Sequence, residues 1–438
     1  MNELREAATS VVRRLRAAGY EAVFAGGCVR DRLLGLEPSD YDVATDALPD
    51  VVQSLFEKTI PVGKQFGIII VVVDGMTFEV ATFREDGPYL DGRRPESVRF
   101  ADARTDALRR DFTINAMFED PIDGSTIDYV GGRDDLHRGV IRAVGDPRLR
   151  FAEDRLRMLR AIRFATRFGF EIDEATFSAI RSDAAHLPEV SAERIGEELV
   201  RILTEGGARR GFDLLDASGL LAVVLPEIVA LKGCQQSPDH HPEGDVFVHT
   251  MLCLSHLTAG CTETLGLGVL LHDVAKPATA LLRDGRWTFY GHLEQGAAMA
   301  EEICARLRRS RATAERVSFL VAQHLRHCSA KDMRAATLKR FLRQEGIDEL
   351  LELTRIDGLS SNGDLGYYEF CRTALEELGE EKTRPEPLIS GHDLIELGLE
   401  PGPLFSRILE AVEDSQLEGD LVSREQAIEF VRARWIGD

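Results

Sequence analysis

The sequence predicts an α+β head over residues 1–148 followed by a mainly α-helical remainder, and three observations carry that reading. In the first third, short runs of branched and aromatic residues alternate with amphipathic stretches. Beyond residue 148 helical periodicity dominates, broken by turn-forming clusters. Among the early β-like runs stand a diglycine turn and a closely following D-x-D pair, both typical of a site rather than of a core.

The chain opens on an amphipathic helix pattern from Leu4 to Ala18. β-like runs follow at Ala22–Phe24, Tyr41–Ala44, Ile68–Val73 and Thr77–Phe83. Glu85–Asp102, rich in Gly, Pro, Asp and Arg, reads as a loop. The helical part is punctuated near Gly206-Gly207, Ser237–Gly244 and Thr383–Pro387, with no internal repeat or low-complexity tract. This divides the chain into a head (1–148), a neck (149–208), a body (209–382) and a tail (383–438).

Length and composition narrow the class. The 438 residues suffice for two to four domains, and 44% hydrophobic residues for real cores. No run approaches the ~20 apolar residues of a membrane span, and Met1-Asn2-Glu3-Leu4-Arg5-Glu6 is charged rather than signal-like, so a cytoplasmic protein without membrane attachment is expected. Seven cysteines without C-x-x-C spacing read as reduced thiols, mostly core fillers; Cys28 has no partner suggesting a nucleophile. A net charge of −21 excludes broad, nonspecific coating of nucleic acid, so an RNA ligand needs a local basic surface, and no DNA partner is expected. Nine arginines from Arg138 to Arg167 supply that surface.

The head concentrates the chemistry. Gly26-Gly27-Cys28-Val29-Arg30-Asp31 lets backbone amides approach a triphosphate without a Cβ in the way. Asp40 and Asp42, alternating along a strand, would face one divalent cation such as Mg²⁺, which bridges phosphate oxygens, and Glu79 would close the carboxylate set. Further on, Asp154, Arg157, Arg160 and Arg163 recur every third residue, forming one slowly rotating helical stripe with Leu156, Met158, Leu159, Ile162 and Phe164 on the apolar side. The stripe is either an exposed, ion-paired helix face or a base reader. In the second case Asp154 accepts from an exocyclic amino group while Arg157 donates to the adjacent ring acceptor, a pair that cytosine and adenine both present.

Gly26 to Asp42, Pro61-Val62-Gly63-Lys64-Gln65-Phe66-Gly67, Glu79-Val80-Ala81-Thr82-Phe83-Arg84, Arg109-Arg110-Asp111-Phe112-Thr113-Ile114-Asn115-Ala116 and Glu153-Asp154-Arg155-Leu156-Arg157 together resemble the class II tRNA nucleotidyltransferases, the group containing CCA-adding enzymes and bacterial poly(A) polymerases. The resemblance covers nearly the whole chain. It implies a nucleotidyltransferase head and Mg²⁺-dependent, template-independent transfer from CTP and ATP to the acceptor arm of tRNA. It assigns Gly27 and Arg30 to the incoming nucleotide, Arg110 to the triphosphate or ribose, and Arg160 and Arg163 to the nucleotide pocket; Arg133 and Arg194 stay open between ligand contact and structural ion pairing. The loop from Asp86 to Pro95 resembles the element that helps the pocket change from CTP to ATP, which favours completing the terminal A. The Gly63–Gly67 segment lies nearer the tRNA-specific pattern than the poly(A) one. A CC-adding or A-adding specialist, a poly(A) polymerase, and an HD phosphohydrolase with an inactive head are the alternatives.

A second constellation lies in the helical half: His249, His272-Asp273, His292, His324 and Asp357. Imidazole and carboxylate donors suit a divalent metal, and the arrangement resembles an HD domain, whose relatives hydrolyse phosphate esters. A second metal centre and a purely structural body both remain open. His240, His241, His256 and His327 are expected at surfaces or interfaces. In the tail, Leu388–Leu394 and Leu397–Pro403 read as a helix cap and a proline start; the resemblance puts this segment on the tRNA elbow side.

Overall fold

The computed structural model describes residues 3–87, 97–238, 241–383 and 386–436. The chain forms two compact units, the first comprising Met1–Ala230 with Leu257–Glu263 and Cys304–Ser310, the second the remainder.

The first unit is built on a seven-stranded sheet. Helix α1 (Glu3–Ala17) buries Ala8, Val11, Val12 and Leu15, one face at helical spacing. Strand β1 (Ala22–Ala25) is buried throughout and leads through Gly26 into α2 (Gly27–Leu33). Strand β2 (Asp42–Thr45) precedes α3 (Pro49–Leu55), which opens on a proline whose missing N–H costs nothing there. After β3 (Thr59–Ile60), strands β4 (Ile68–Val73) and β5 (Met76–Thr82) form a hairpin closed by Asp74-Gly75, both at positive φ, the backbone a tight two-residue turn requires. Strands β6 (Arg84–Asp86) and β7 (Val98–Phe100) pair separately, followed by α4 (Ala103–Leu108), β8 (Met117–Glu119), β9 (Thr126–Asp128) and α5 (Gly132–Arg138). The sheet order is β3-β4-β5-β2-β1-β8-β9, antiparallel except for the parallel β2–β5 pair. Phe24, Phe78, Phe83 and Phe118 fill its core.

The α+β head followed by helices is therefore as expected, with two local differences. The expected loop Glu85–Asp102 is bounded by the β6–β7 ladder, and its tip, residues 88–96, lies outside the described residues. Strands β8 and β9, three residues each, are too short for a period-2 pattern to register.

The same unit continues through α6 (Pro147–Glu153), α7 (Leu156–Phe168), α8 (Glu174–Asp183) and α9 (Ala192–Thr204). The second unit is mainly helical, and among its described residues Leu281–Arg283 and Arg286–Thr288 form a hairpin. In its C-terminal part Ser390 and Asp393 form a capping box, and Pro403 starts the helix Pro403–Glu418, whose Ile408 and Val412 pack with Leu394, Ala427 and Val431. Among the described residues no helix is long and apolar enough to cross a membrane.

Candidate functional site

A cleft of about 810 Å³ in the first unit gathers Gly26, Gly27, Arg30, Asp40, Asp42, Glu79, Arg110, Asp154, Arg157, Arg160 and Arg163, the head and neck residues to which a catalytic or nucleotide role was assigned above. Ala25, Ala44 and Ala81, from three neighbouring strands, also line it, so small side chains leave room above the sheet. The parallel register Val43↔Val80 sets Asp42 and Glu79 one residue before matched positions, which puts them side by side. Asp40 is not in the strand: β2 begins at Asp42, and Asp40 reaches the cleft from the preceding exposed segment. The alternation argument for the D-x-D pair thus fails in detail, although both carboxylates meet in one place.

The electrostatics of this trio favour a bound cation. Asp42 is open to the cleft, yet desolvation by the surrounding walls, then the charges of Glu79 and Asp40, push it up to about 7, with Arg110 opposing. Desolvation within the cleft also raises Glu79 against the pull of Arg84 and Arg110. Among the described residues, Asp40, Asp42 and Glu79 stand in no ion pair within 4 Å. Three carboxylates lining one cleft without an ion pair within 4 Å can offer oxygen donors to a hard divalent cation.

Opposite stands a wall of arginines: nine line the cleft against seven carboxylates, a local basic excess in a chain of net charge −21. Gly26, at φ 74°, permits this packing, since a Cβ there would lie 2.9 Å from Arg110 Nη1. Arg110 is held by Asp106 at 3.0 Å and lies over the Phe118 ring. Buried Arg30 pairs with Asp31 at 2.7 Å and donates to Asn115 Oδ1 at 2.5 Å. Phe164 carries the guanidiniums of Arg30, Arg160 and Arg163 on its ring, at 5.2, 5.3 and 4.3 Å from its centroid. Arg160 donates twice to Asp111 Oδ2, at 2.9 and 2.7 Å, and Arg163 pairs with Glu198 at 2.7 Å. Burial opposes ionisation of Asp111, but Arg160 and the Asn115 amide bring it down to about 2.

The expected four-residue stripe is corrected at its first member. Helix α7 starts at Leu156, and Asp154 has extended backbone, ending α6 while its carboxylate accepts the Leu156 N–H at 3.0 Å. Arg194 on α9 donates to both Asp154 oxygens, at 3.3 and 2.7 Å, and Arg157 donates to Glu153 at 2.5 Å and to the Arg150 carbonyl at 2.9 Å. The two proposed base readers are thus each oriented by a neighbour, and the ambiguous Arg194 is an ion-pair partner of one of them. Arg133 is exposed on α5 and does not line the cleft. Cys28 is buried with its thiol pushed up to about 12, first by burial and then by Asp42, which disfavours the thiolate.

Sequence reasoning assigned no role to Arg84, Asp111, Asn115, Arg201 or Glu205, all of which line the cleft. The first three sit inside motifs quoted above; Arg201 and Glu205 carried no local signal.

The second unit brings together the other predicted set. His249 Nε2 lies 3.2 Å from His272 Nε2 and 3.1 Å from Asp357 Oδ1, while Asp273, His292 and His324 form an adjoining group. Burial disfavours the His272 imidazolium, but Asp273 outweighs it and raises His272 to about 9; burial and the His272 charge push His324 down to about 4. Cys253, one helical turn after His249, was missed, as was Glu243, 2.8 Å from His249 Nδ1. His241, expected at a surface, packs edge-on against His249 and contacts Glu243 at 2.9 Å. His256 and His327 are half-buried outside these groups, and His240 lies outside the described residues. A pocket of about 380 Å³ opens beside the cluster, walled by Trp287 and Phe289.

Three family models match the chain: a poly A polymerase head domain over residues 22–142, a probable RNA and SrmB-binding site of polymerase A over 169–231, and an HD domain over 249–361. A CCA-adding enzyme of Bacillus pumilus is 48% identical over 221 residues, 50% of this chain and 55% of that protein, so the chain spans about half the length of this relative in the match. A CCA-adding enzyme of Lactobacillus gasseri is 32% identical over 427 residues, 97% of this chain and 96% of its own. The solved CCA-adding enzyme of Bacillus stearothermophilus in complex with CTP superposes with a TM-score of 0.72 at 27% identity, covering 99% of each chain.

Proposed function

The chain belongs to the family of CCA-adding enzymes, and from that premise we propose its reaction: transfer of CMP and AMP from CTP and ATP to the 3′ end of tRNA, with release of pyrophosphate. The observation that carries this reading is the meeting, in one cleft, of three carboxylates without ion-pair partners and a wall of arginines. Asp40 and Asp42 would hold Mg²⁺, which when bound supplies positive charge to phosphate oxygens and lowers the pKa of the attacking hydroxyl. The 3′-oxygen attacks the α-phosphorus as the bond to the pyrophosphate oxygen breaks. Glu79, raised above its ordinary pKa, is placed to receive the hydroxyl proton. Gly26 and Gly27 give the triphosphate close access to the backbone, and Arg30, Arg110, Arg160 and Arg163 balance its charge. Asp154, held by Arg194, and Arg157, held by Glu153, would read the amino and ring-acceptor edge shared by cytosine and adenine. The region of residues 169–231 would hold the acceptor arm and the helical tail would lie on the elbow side of the tRNA, and we place the reaction in the cytoplasm. The test is incubation with tRNA lacking CCA, with each nucleotide alone and in pairs, followed by product sequencing. Ordered addition of C, C and A supports the reading; A alone, CC alone or homopolymeric A assigns the chain to a specialist or a poly(A) polymerase.

A second reading concerns the body. We infer that it holds a divalent metal of its own and hydrolyses phosphate esters, because its imidazoles and carboxylates converge beside an open pocket. The check is release of inorganic phosphate from phosphomonoesters across a panel of divalent ions, by the parent and by a variant lacking His272 and Asp273.

A further inference from the structure

Two arginines of the cleft wall stand apart from the others. Seven of the nine each donate to a neighbouring carboxylate at 3.0 Å or less. Arg167 and Arg201 do not: among the described residues neither guanidinium donates a hydrogen bond. Arg167 comes no closer to a carboxylate than 3.8 Å from Asp31 Oδ2 and 3.9 Å from Glu205 Oε2, and its side chain is 34% exposed. Arg201 is exposed and stands in no ion pair among the described residues.

Helical spacing puts both where they are. Arg167, in the last turn of α7, follows Arg163 by four residues and Arg160 by seven, and so shares their face. Arg201 lies in the last turn of α9, and Glu205, whose N–H donates to the Arg201 carbonyl at 2.9 Å, follows it by four residues on the same side. A cation in a last turn complements the helix dipole wherever it points. That accounts for the residue type, but not for both side chains lining one cleft. The Phe168 ring carries the guanidiniums of Arg30 and Arg167, at 4.8 and 5.2 Å from its centroid, and Asp31 faces both. Glu205 also lines the cleft and is loosely held, 3.3 and 3.4 Å from Arg163 Nη1 and 3.9 Å from Arg167 Nη1. Guanidiniums gathered around so distant a counter-charge repel one another until an anion enters.

We propose that Arg167 and Arg201 take the terminal phosphates of the incoming triphosphate, and then the pyrophosphate made from them, with Glu205 as the counter-ion that these phosphates displace. The inference rests on the cleft being a nucleotide site. Arg157 stands at the start of α7 and Arg167 ten residues on, roughly 15 Å along the helix. A nucleotide held by its base at Arg157 extends its phosphates in that direction, past Arg160 and Arg163. When the bond from the α-phosphorus to the bridging oxygen breaks, the electron pair stays on the pyrophosphate, and the two guanidiniums meet the added charge. The hydroxyl proton goes to Glu79 as before.

The test uses the full chain with Mg²⁺ and compares CTP, CMP and inorganic pyrophosphate as probes, with circular dichroism checking the fold of each variant. Arg167→Gln and Arg201→Gln are each expected to weaken CTP binding, read by calorimetry, and inhibition by pyrophosphate roughly tenfold. CMP binding and the KM for tRNA lacking CCA should stay at the parent's values. Glu205→Gln should move pyrophosphate inhibition the other way, making it tighter, whereas a merely structural Glu205 would weaken it along with the arginine variants. Equal losses for CTP and CMP overturn the proposal, because the contact is then not to the terminal phosphates. A raised KM for tRNA with CTP and pyrophosphate unaffected overturns it in favour of an RNA phosphate. No change with any probe leaves two solvated helix ends and also overturns it. A parent that binds no CTP and incorporates no nucleotide overturns instead the nucleotide reading of the cleft.

Discussion

Replacing Asp154 by asparagine should turn the base preference of the cleft around rather than merely weaken it. Arg194 donates to both carboxylate oxygens, at 3.3 and 2.7 Å, and a guanidinium has no acceptor to offer. In Asp154→Asn, Arg194 therefore engages the amide oxygen, and the amide N–H₂ is left to meet the base. Cytosine presents an amino donor at that edge, whereas uracil presents a carbonyl acceptor. Each good bidentate contact is worth about 1–3 kcal/mol of discrimination, equivalent to roughly 5- to 150-fold in relative rate. CTP incorporation should fall and UTP incorporation rise within that range, while Asp154→Ala relaxes the choice without reversing it. The pair with Arg194 is partly buried, so its loss also costs about 1–3 kcal/mol of local order, and thermal unfolding should be followed in parallel. The assay is single-turnover extension of tRNA lacking CCA with each of the four nucleotides. If both variants keep the parent's order of preference within twofold, Asp154 does not read the base and its ion pair with Arg194 is purely structural.

The remaining expectations are shorter. Asp40→Ala and Asp42→Ala should each lower single-turnover incorporation by orders of magnitude while tRNA affinity, measured by filter binding, stays within a few fold. Gly26→Ala forces φ 74° on a residue with a Cβ and presses on Arg110, so a loss of about 1–2 kcal/mol in stability and a clear fall in nucleotide affinity are expected from calorimetry. Asp111, lowered from 3.8 to about 2, contributes about 2 kcal/mol that is fully present above pH 4 and is lost as pH falls through about 2. Asp111→Asn should therefore be destabilised at pH 7 and differ little from the parent near pH 2, as read from denaturant midpoints. His272→Ala with Asp273→Ala should abolish any metal-dependent release of phosphate yet leave C and A addition unchanged; loss of addition with fold and tRNA affinity intact would contradict two separate sites.

The chemistry of the head was legible because it is local. Gly26-Gly27, the D-x-D pair and Glu79 sit on or beside strands whose residue types declare them, and His272-Asp273 is a dipeptide. An amphipathic helix and an apolar strand are likewise visible wherever one face is buried over enough residues to establish a period, as in α1 and β4. Tertiary structure decided what depends on partners far away in the chain. Asp154 obeys helical spacing in the sequence but leaves the helix because its carboxylate caps the Leu156 N–H and accepts from Arg194, forty residues later. The order β5-β2-β1-β8 places Glu79 beside Asp42, and only the packing of α2 near α7 brings Arg30 to the Phe164 ring, where Arg160 and Arg163 already lie as helical neighbours. Asp273 shows the limit most clearly: its residue type marks a ligand, but only the packing of separate helices leaves both its oxygens buried between two groups of imidazoles. Composition and period are properties of neighbours in sequence, whereas desolvation and the convergence of charges are properties of neighbours in space.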